Sequence, residues 1–226
     1  MKVLVTGAGG QVGREVVSAF SDDEVIAATR EMLDVADRHA VLRAITGTQP
    51  DAIVHCGAWT AVDACESDPD RAFRVNALGT RHVMEAARRI GAYVVYLSTD
   101  YVFDGSKPAP YVEWDAPAPA SAYGRSKWGG EQEIDPASAI VRTSWVCGRQ
   151  GANMVKTVLR LAAEHPTLSF VDDQRGHPTF ADDLACMLRT IVVSRLPGTY
   201  HVTNQGTVSW YEFARAVLDA AGADPD

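Results

Sequence analysis

Short runs of β-branched and aromatic residues alternate along the chain with longer segments in which apolar residues recur at helical spacing. The runs predict strands, at residues 2–6, 25–29, 52–55, 93–98 and 139–142. The longer segments predict helices, at residues 11–20, 35–46, 70–90 and 121–134. Regular alternation of strands and helices is typical of βαβ units, in which helices cover both faces of a parallel sheet.

The pattern becomes less regular after Arg142. Further helices are predicted at 152–164, 180–193 and 209–221, and further strands at 168–171 and 199–203. We therefore predict an α/β fold, with a doubly wound, Rossmann-like parallel sheet in residues 1–150 and a smaller, irregular substrate-binding portion in residues 151–226. The Pro-rich segment 107–121 is predicted to be a surface loop, because a periodic helix follows it at once.

Composition narrows the classes of protein that fit the chain. Apolar residues make up 46% and charged residues 22%, as in an ordinary globular protein. The net charge of −8 argues against a nucleic-acid partner, and no apolar run reaches the roughly 18 residues of a membrane-spanning helix. A strand starting at Lys2 leaves no space for a signal peptide, and the four cysteines show neither CxxC pairs nor metal-ligand spacing. We therefore expect a cytoplasmic protein with reduced thiols and no metal site.

The first predicted strand runs directly into a glycine-rich turn, VTGAGGQVG at residues 5–13. Gly7 would permit the tight turn, Gly10 would let the backbone approach a pyrophosphate, and Gly13 would let helix and strand pack closely. The anion would then lie on the free amides of the helix N-terminus. Val12 stands where the commonest dinucleotide fingerprint has its last glycine, and a plain strand–helix turn is the alternative. The position at the first βα junction favours a dinucleotide.

The second predicted strand ends in both types of charge that distinguish nicotinamide cofactors. A carboxylate at this place binds the ribose 2′-OH of NADH, whereas an arginine accommodates the 2′-phosphate of NADPH. Arg30 precedes Glu31 and lies at the strand tip, so we predict NADPH in preference to NADH. A solvated charged turn is the alternative. Asp34 and Val35 follow where adenine is often contacted in such folds.

A tyrosine and a lysine lie four residues apart in SAYGRSKWGGE, residues 121–131. Positions i and i+4 of a helix share a face, so the Tyr123 phenol and the Lys127 ammonium are predicted to lie side by side. A free tyrosine has a pKa of ~10, and the adjacent positive charge is expected to lower the pKa of Tyr123. Such a tyrosine can pass a proton to a carbonyl oxygen. The spacing alone also arises by chance on helix surfaces.

The strand at 93–98 ends in three short polar residues, Ser98, Thr99 and Asp100. Such residues are common in turns, so the end of a strand would be enough to explain them. In a doubly wound sheet, however, ligands bind outside the carboxyl ends of the strands. We therefore predict that the Thr99 hydroxyl hydrogen-bonds the same substrate oxygen that Tyr123 protonates.

Seven motifs together resemble the extended short-chain dehydrogenase/reductase family, most closely its dTDP-4-dehydrorhamnose reductases. They cover the whole chain in the family's order: TGAGGQVG (6–13), AWTAVDACES (58–67), VNALGT (75–80), STDYVFDG (98–105), YGRSK (123–127), RTSWV (142–146) and DDQRGHPT (172–179). The resemblance implies a reaction of dTDP-rhamnose biosynthesis, the NAD(P)H-dependent reduction of the C4 carbonyl of dTDP-4-dehydro-L-rhamnose. The STDYVFDG and TAVD motifs are the most specific of the set.

The resemblance also implies roles for individual residues. Tyr123 would be the proton donor, Lys127 would bind the nicotinamide ribose, and Thr99 would polarise the carbonyl. The residues placed beside the cofactor are Gly7, Gly10, Gln11, Val12, Ala58, Trp59 and Thr60. Asp100 and Trp145 would face the sugar nucleotide. Some members bind magnesium, although no carboxylate cluster in this sequence requires it.

Trp59 is one departure from the family pattern, since relatives often carry His or Tyr there. An aromatic ring is retained, so little change is expected. The other departure is the end of the chain at AAGADPD, where relatives continue for several dozen residues. We therefore expect a fragment, or a chain whose remainder is absent, with an incomplete sugar-nucleotide pocket but an intact NAD(P)H site.

Three other functions remain open or disfavoured. A dehydratase is disfavoured, because Tyr101 occupies the position that carries its catalytic acid. A reductase of another nucleotide deoxysugar would need almost the same site. The regulatory subunit of methionine adenosyltransferase shares the fold without catalysis, but it lacks the TAVD motif. The sequence leaves a homodimer open, and His55 is predicted to be a packed or cofactor-lining residue.

Overall fold

A computed structural model describes residues 1–223 of the chain, and the predicted tail at 222–226 lies mostly outside them. The strands within these residues are β1 (Lys2–Thr6), β2 (Glu24–Ala28), β3 (Ala52–His55), β4 (Tyr93–Thr99), β5 (Ala139–Thr143), β6 (Val146–Cys147), β7 (Arg175–Gly176), β8 (Thr179–Phe180), β9 (Gly198–His201) and β10 (Val208–Ser209). The helices are α1 (Gln11–Ala19), α2 (Arg38–Thr48), α3 (Val62–Ser67), α4 (Pro69–Phe73), α5 (Gly79–Ile90), α6 (Ala122–Glu131), α7 (Met154–Glu164), α8 (Ala181–Ser194) and α9 (Trp210–Ala220). A π-helical turn (Arg74–Leu78) joins α4 to α5, and a 3₁₀ turn (Asp100–Val102) follows β4.

The main sheet has six parallel strands in the order β2-β1-β3-β4-β5-β9. The order reverses at β1, because the chain first adds β2 on one side and then β3 on the other. Ligands of doubly wound folds bind at such a reversal, outside the carboxyl ends of the strands. The register pairs Thr6 with His55 and Thr99 with Thr143, so these strand ends lie along one edge of the sheet.

The two faces of the sheet bury separate apolar clusters. Val3, Val5 and Val95 pack on one face, against α1 and α8. Leu4, Ile53 and Val94 pack on the other face, against α2 and α5. Burial on both faces explains why these strands are continuous apolar runs rather than alternating ones. The predicted doubly wound, Rossmann-like α/β fold is confirmed.

The structure differs from the predicted elements in three places. The predicted helix at 70–90 is divided by the π-helical turn, and α3 was not predicted. The predicted strand at 168–171 is wrong, because the backbone there pairs with no strand and the Val171 carbonyl instead accepts the Tyr211 N–H of α9. In residues 1–223, no helix is long and apolar enough to cross a membrane.

The structure does not divide cleanly at the boundary that the sequence predicts at residue 150. Residues after that boundary supply β9, which pairs with β5 in the main sheet. They also supply α8, whose Leu184 and Leu188 join the cluster that covers β1 and β4. Part of the second range, the strand β9, thus belongs to the main sheet. The division into a cofactor-binding range 1–150 and a substrate-binding range 151–226 stays a prediction.

Candidate active site

A cleft of about 760 Å³ lies along the carboxyl edge of the sheet. It extends from the glycine turn after β1 to the end of β4 and the start of α6. All the residues that the sequence assigns to cofactor, substrate or chemistry line it: Gly7, Gly10, Gln11, Val12, Gly13, Arg30, Asp34, Val35, Ala58, Trp59, Thr60, Thr99, Asp100, Tyr123, Lys127 and Trp145. The structure thus brings together residues that lie up to 138 positions apart, from Gly7 to Trp145.

The glycine turn has the geometry that its sequence predicts. Gly7 has φ +65°, and a Cβ there would lie 2.8 Å from the backbone of Cys56 and Gly57. A Cβ at Gly13 would overlap the carbonyl oxygen of Gly7, so helix and strand approach closely only because both residues are glycines. Gly10 is the N-cap of α1 and supplies no side-chain cap. The first amides of α1 can therefore meet an anion.

Gln11 has a structural contact that the sequence did not indicate. Its side-chain amide donates to the Ala152 carbonyl over 2.9 Å, and its Oε1 accepts the Gly148 N–H and the Asn153 side-chain amide, each over 3.0 Å. The Gln11 side chain thus ties the glycine turn to the loop after β6. Its backbone N–H in the first turn of α1 is the group that remains suited to a pyrophosphate.

The tip of β2 presents positive charge to the cleft. Arg30 is exposed and, within the described part of the chain, forms no ion pair. The Glu31 carboxylate is engaged by its own backbone N–H and by Thr29, and these hydrogen bonds lower its pKa. Sequence reasoning missed Arg14, which also lines the cleft and donates from Nε to the Gly9 carbonyl over 2.9 Å. The sequence feature that could have identified Arg14 is its position as a basic residue in the first turn of the helix that follows the glycines.

Asp34 and Val35 lie beyond this charged tip, on the loop between β2 and α2. The Asp34 carboxylate accepts the Ala36 N–H over 2.9 Å, so its orientation is fixed by its own turn. Val35 is buried, and a Cβ at Gly79 would lie 2.9 Å from its side chain. The two residues form a firm wall at this end of the cleft.

Thr99 and Tyr123 come together because the start of α6 packs tightly on the turn after β4. Ser121 caps α6 by accepting the Gly124 N–H over 3.0 Å. A Cβ at Gly124 would overlap the Tyr101 carbonyl oxygen, so this close approach requires glycine. The rings of Tyr101 and Tyr123 meet edge to face with centroids 5.5 Å apart.

Lys127 lies one turn after Tyr123, as predicted, and is 2% exposed. Its ammonium donates to the Leu97 carbonyl over 2.7 Å and lies 4.1 Å from the centre of the Tyr96 ring. Burial lowers the pKa of Lys127 to about 7. The prediction that Lys127 lowers the pKa of Tyr123 is wrong. Burial raises the pKa of Tyr123, the Asp100 charge raises it further, and a hydrogen bond with Thr99 acts in the opposite direction.

Trp145 forms one wall of the cleft in a strained backbone conformation. Its φ is +46°, which is uncommon for a residue with a large side chain. The ring stacks on Trp210 with centroids 3.5 Å apart, and a Cβ at Gly176 would lie 2.6 Å from it. Gly176 belongs to the DDQRGHPT motif (172–179), whereas Trp210 carries no sequence signal, because it contributes through a contact between distant segments.

Asn76, in the π-helical turn, links the wall at Trp59 to α6. It accepts the Trp59 N–H over 2.8 Å and donates to the Trp59 carbonyl over 3.1 Å and to Ser126 Oγ over 2.9 Å. Ser126 in turn donates to the Tyr123 carbonyl over 2.7 Å. Sequence reasoning missed Asn76, although a polar residue inside the apolar helical motif VNALG was a signal. π-helical turns often occur at functional sites.

Trp59 also contacts a cation of the cleft. The Arg71 guanidinium lies 4.3 Å from the centre of its ring, at a distance typical of a cation–π interaction. Arg71 belongs to α4 and lines the cleft. The aromatic ring retained at position 59 therefore has a partner that the sequence motif did not indicate.

A buried ion pair lies beneath the end of the cleft formed by β4 and α6. Glu131 and Arg142 contact over 2.7 Å, and both side chains are less than a tenth exposed. Glu131 also accepts the Ser98 hydroxyl over 2.6 Å. These bonds join α6, which carries Tyr123, to β4, which ends at Thr99, and to β5, which ends two residues before Trp145. Buried charges of this kind require a partner, and removing one leaves the other uncompensated.

His55 is a packed residue rather than part of the cleft lining. Its ring nitrogens hydrogen-bond to Thr6 over 2.6 Å and to Thr80 over 3.2 Å, and burial lowers its pKa to about 3. In the part of the chain that the structure describes, no group of three His, Cys, Asp or Glu side chains is placed to bind a metal ion. The described residues therefore do not gather the carboxylate ligands that magnesium would need at one point of the cleft.

Comparison with known proteins agrees with this geometry. The family model described as the RmlD substrate binding domain matches residues 1–226. The chain is 43% identical over 229 residues to a dTDP-4-dehydrorhamnose reductase from Sinorhizobium fredii, with 96% of this chain and 77% of that protein covered. It is 44% identical over 228 residues to the spore coat polysaccharide biosynthesis protein SpsK of Bacillus subtilis, with 99% and 80% covered.

A solved structure has the same fold over nearly the whole length of this chain. It is a dTDP-4-dehydrorhamnose reductase from Bacillus anthracis in complex with NADP, with a TM-score of 0.95 and 39% sequence identity. The superposition covers 99% of this chain and 81% of that one. The predicted resemblance is confirmed by these comparisons.

Proposed function

Since the chain belongs to the family of the RmlD substrate binding domain, we propose that it is an NAD(P)H-dependent oxidoreductase that reduces the C4 carbonyl of dTDP-4-dehydro-L-rhamnose to dTDP-L-rhamnose. The observation that carries this proposal is the meeting of Thr99, Tyr123 and Lys127 in one cleft with the glycine turn. A proton donor thus lies within the same cavity as a dinucleotide-type anion site. We place the reaction in the cytoplasm, in keeping with the free thiols of Cys56, Cys65, Cys147 and Cys186.

The cofactor site fits a dinucleotide. The close packing at Gly7 and Gly13 brings the free amides of α1 to the cleft, where they suit a pyrophosphate. We propose NADPH rather than NADH, because the exposed Arg30 is suited to a 2′-phosphate while Glu31 is engaged in its own turn. When bound, the nicotinamide supplies the hydride.

The residues of this chain handle the oxygen of the substrate. We assign the proton donor as Tyr123 and assign Thr99 a hydrogen bond to the same oxygen. Lys127 is held at the end of β4 by the Leu97 carbonyl, where it is suited to the nicotinamide ribose. Tyr123 keeps its proton until the oxygen gains charge, since burial has raised its pKa.

The substrate class is a nucleotide sugar bearing a 4-keto group. Asp100 and Trp145 line the cleft beside Tyr123 and are assigned to the sugar nucleotide. Reduction of another 4-keto deoxysugar remains the second candidate, because one of the relatives named above acts in spore coat polysaccharide biosynthesis. We also propose that residues 1–150 bind the cofactor and that residues 151–226 contribute to the substrate site.

The test is a spectrophotometric assay of NADPH and NADH oxidation with a panel of dTDP-4-keto sugars. We expect turnover that is fastest with dTDP-4-dehydro-L-rhamnose and that is lost in Tyr123→Phe. Turnover with a different keto sugar alone would change the substrate assignment. Cofactor binding without turnover of any keto sugar would reject the reductase and favour a binding protein.

A further inference from the structure

A loop at residues 148–153, here called the strap, joins β6 to α7 and lies beside the glycine turn. Val146, just before the strap, and Ala152, within it, line the cleft together with Gln11. The strap therefore borders the first turn of α1, where the free amides suit a pyrophosphate.

The Gln11 side chain ties the strap to the glycine turn at three points. Its amide donates to the Ala152 carbonyl over 2.9 Å, and its Oε1 accepts the Gly148 N–H and the Asn153 side-chain amide over 3.0 Å each. Asn153 also donates to the Gly148 carbonyl over 2.7 Å, which closes the strap around Gln11 Oε1. Among residues 1–223, the Gln11 side chain makes every hydrogen bond that joins the strap to the glycine turn.

The strap is also held together internally, by a side chain of α7. The Lys156 ammonium donates to the Arg149 carbonyl over 2.7 Å and to the Gly151 carbonyl over 2.8 Å. Neither bond reaches the glycine turn. The strap is thus a folded unit whose position relative to the turn depends on Gln11.

Two glycines let the strap pack on the apolar part of the Gln11 side chain. A Cβ at Gly148 would lie 3.2 Å from Gln11 Cβ. Gly151 has φ +79°, and a Cβ there would lie 2.8 Å from Gln11 Cγ. A side chain at residue 151 would therefore push the strap away from Gln11, so packing and hydrogen bonds maintain the same contact.

We propose that Gln11 is a positioning residue for the cofactor, whose side chain holds the strap beside the glycine turn so that both sides of the pyrophosphate site are in place before binding. This inference rests on the proposed function, because NAD(P)H supplies the pyrophosphate. The Gln11 backbone N–H is suited to the anion itself, whereas the side chain acts through the strap. A loop that already has its bound position loses little conformational entropy on binding, and this raises affinity.

The role concerns retention of the cofactor rather than the chemistry. Thr99 and Tyr123 lie at the other end of the cleft, on β4 and α6. Among variants of one binding site, most differences in affinity appear in the dissociation rate. Loss of the Gln11 side chain should therefore speed NADPH release and raise the KM for NADPH, while kcat at saturating NADPH should not fall.

The first test measures NADPH release from the wild type and from Gln11→Ala by stopped-flow fluorescence. Loss of hydrogen bonds of ordinary net strength should raise the dissociation rate constant by about tenfold, with a similar rise in the KM for NADPH. An unchanged dissociation rate in Gln11→Ala refutes the proposal. A fall in kcat without faster release also refutes it, since Gln11 would then act on the chemistry.

The control for this variant is Gln49→Ala. The Gln49 side chain donates to the Thr46 carbonyl over 3.2 Å, at the end of α2. Gln49 precedes β3, so it lies at the amino edge of the sheet, opposite the cleft. The control should leave NADPH release and the KM for NADPH unchanged.

Gly151→Ala tests the same contact from the strap and leaves Gln11 and α1 unaltered. Gly91→Ala is its matched control, because Gly91 has φ +70° and a Cβ there would meet no neighbouring group within 4 Å. Both variants place alanine at positive φ and carry the same kind of backbone strain. NADPH release should be faster in Gly151→Ala than in Gly91→Ala, and equal rates would overturn the proposed role of the strap.

NADPH release is measured without a keto sugar, so this inference and the proposed function fail separately. If Gln11→Ala releases NADPH faster but no keto sugar is reduced, the proposed function fails while the positioning role stands. If keto sugars are reduced and the release rate is unchanged, the function stands and the role of Gln11 is refuted. A wild-type protein that binds no NADPH refutes both.

Discussion

The two ends of the cleft present charge in opposite ways. At the end formed by the glycine turn and the tip of β2, Arg14 and Arg30 are exposed to solvent. At the end formed by β4 and α6, Thr99, Tyr123 and Lys127 are 6%, 8% and 2% exposed. An exposed group keeps the charge that its residue type predicts, whereas desolvation decides the charge of a buried group. In the proposed function, the exposed end recognises the charge of the cofactor and the buried end controls protons.

Tyr123→Phe removes the donor at the reacting end and should have the largest effect. We expect kcat to fall by roughly 10²–10⁴-fold, the usual contribution of a general acid, while the dissociation constant of NADPH stays near that of the wild type. Steady-state assays and fluorescence titration measure the two quantities. Turnover within a few-fold of the wild type would remove Tyr123 from its assigned role.

Arg142→Met tests the support of the reacting end. It leaves the Glu131 carboxylate buried without its partner, so the free energy of unfolding should fall by about 3–5 kcal/mol. Denaturant titration measures this loss. The double variant Arg142→Met/Glu131→Leu should recover part of it, since the uncompensated charge is gone. A single variant as stable as the wild type would contradict the account of the ion pair.

Arg30→Ala tests charge recognition at the cofactor end. Loss of a charged hydrogen bond to a 2′-phosphate should weaken NADPH binding by about 1–3 kcal/mol and leave NADH binding unchanged. Arg14→Ala is the comparison variant for Arg30→Ala. Arg14 also lines the cleft, but its side chain donates to the Gly9 carbonyl of the glycine turn. Calorimetry with both cofactors measures the difference. Equal losses for NADPH and NADH would mean that Arg30 does not discriminate between them.

Asp100→Asn should have the smallest effect, and the effect should depend on pH. The fold raises the pKa of Asp100 from 3.8 to about 6, so the native state binds this proton more tightly than the unfolded state does. Stability is therefore lost as pH rises through this range, and at pH 8 the variant should be more stable by about 1–2 kcal/mol. At pH 3.5 the gain should vanish. Equal stability of both proteins at pH 8 would show that Asp100 is not strained by burial.

The sequence predicted the cofactor end more completely than the reacting end. Gly7 and Gly13 act through their own backbone conformation and close packing, which the local motif determines. At the reacting end, the positions of Thr99, Tyr123 and Lys127 followed from strand and helix periodicity. The sign of the Tyr123 pKa shift did not, because it depends on burial and on Asp100. Asn76 and Trp210 were missed because their partners lie in distant parts of the chain.

In the proposed reaction, the cofactor delivers a hydride to C4 of a keto sugar in this cleft while Tyr123 protonates the oxygen. The most direct test is a reaction with NADPH deuterated at C4 of the nicotinamide, followed by NMR of the sugar product. We predict that deuterium transferred from the cofactor is found at C4 of dTDP-L-rhamnose, with none at other carbons. A product without deuterium at C4, from both cofactor diastereomers, would contradict the account.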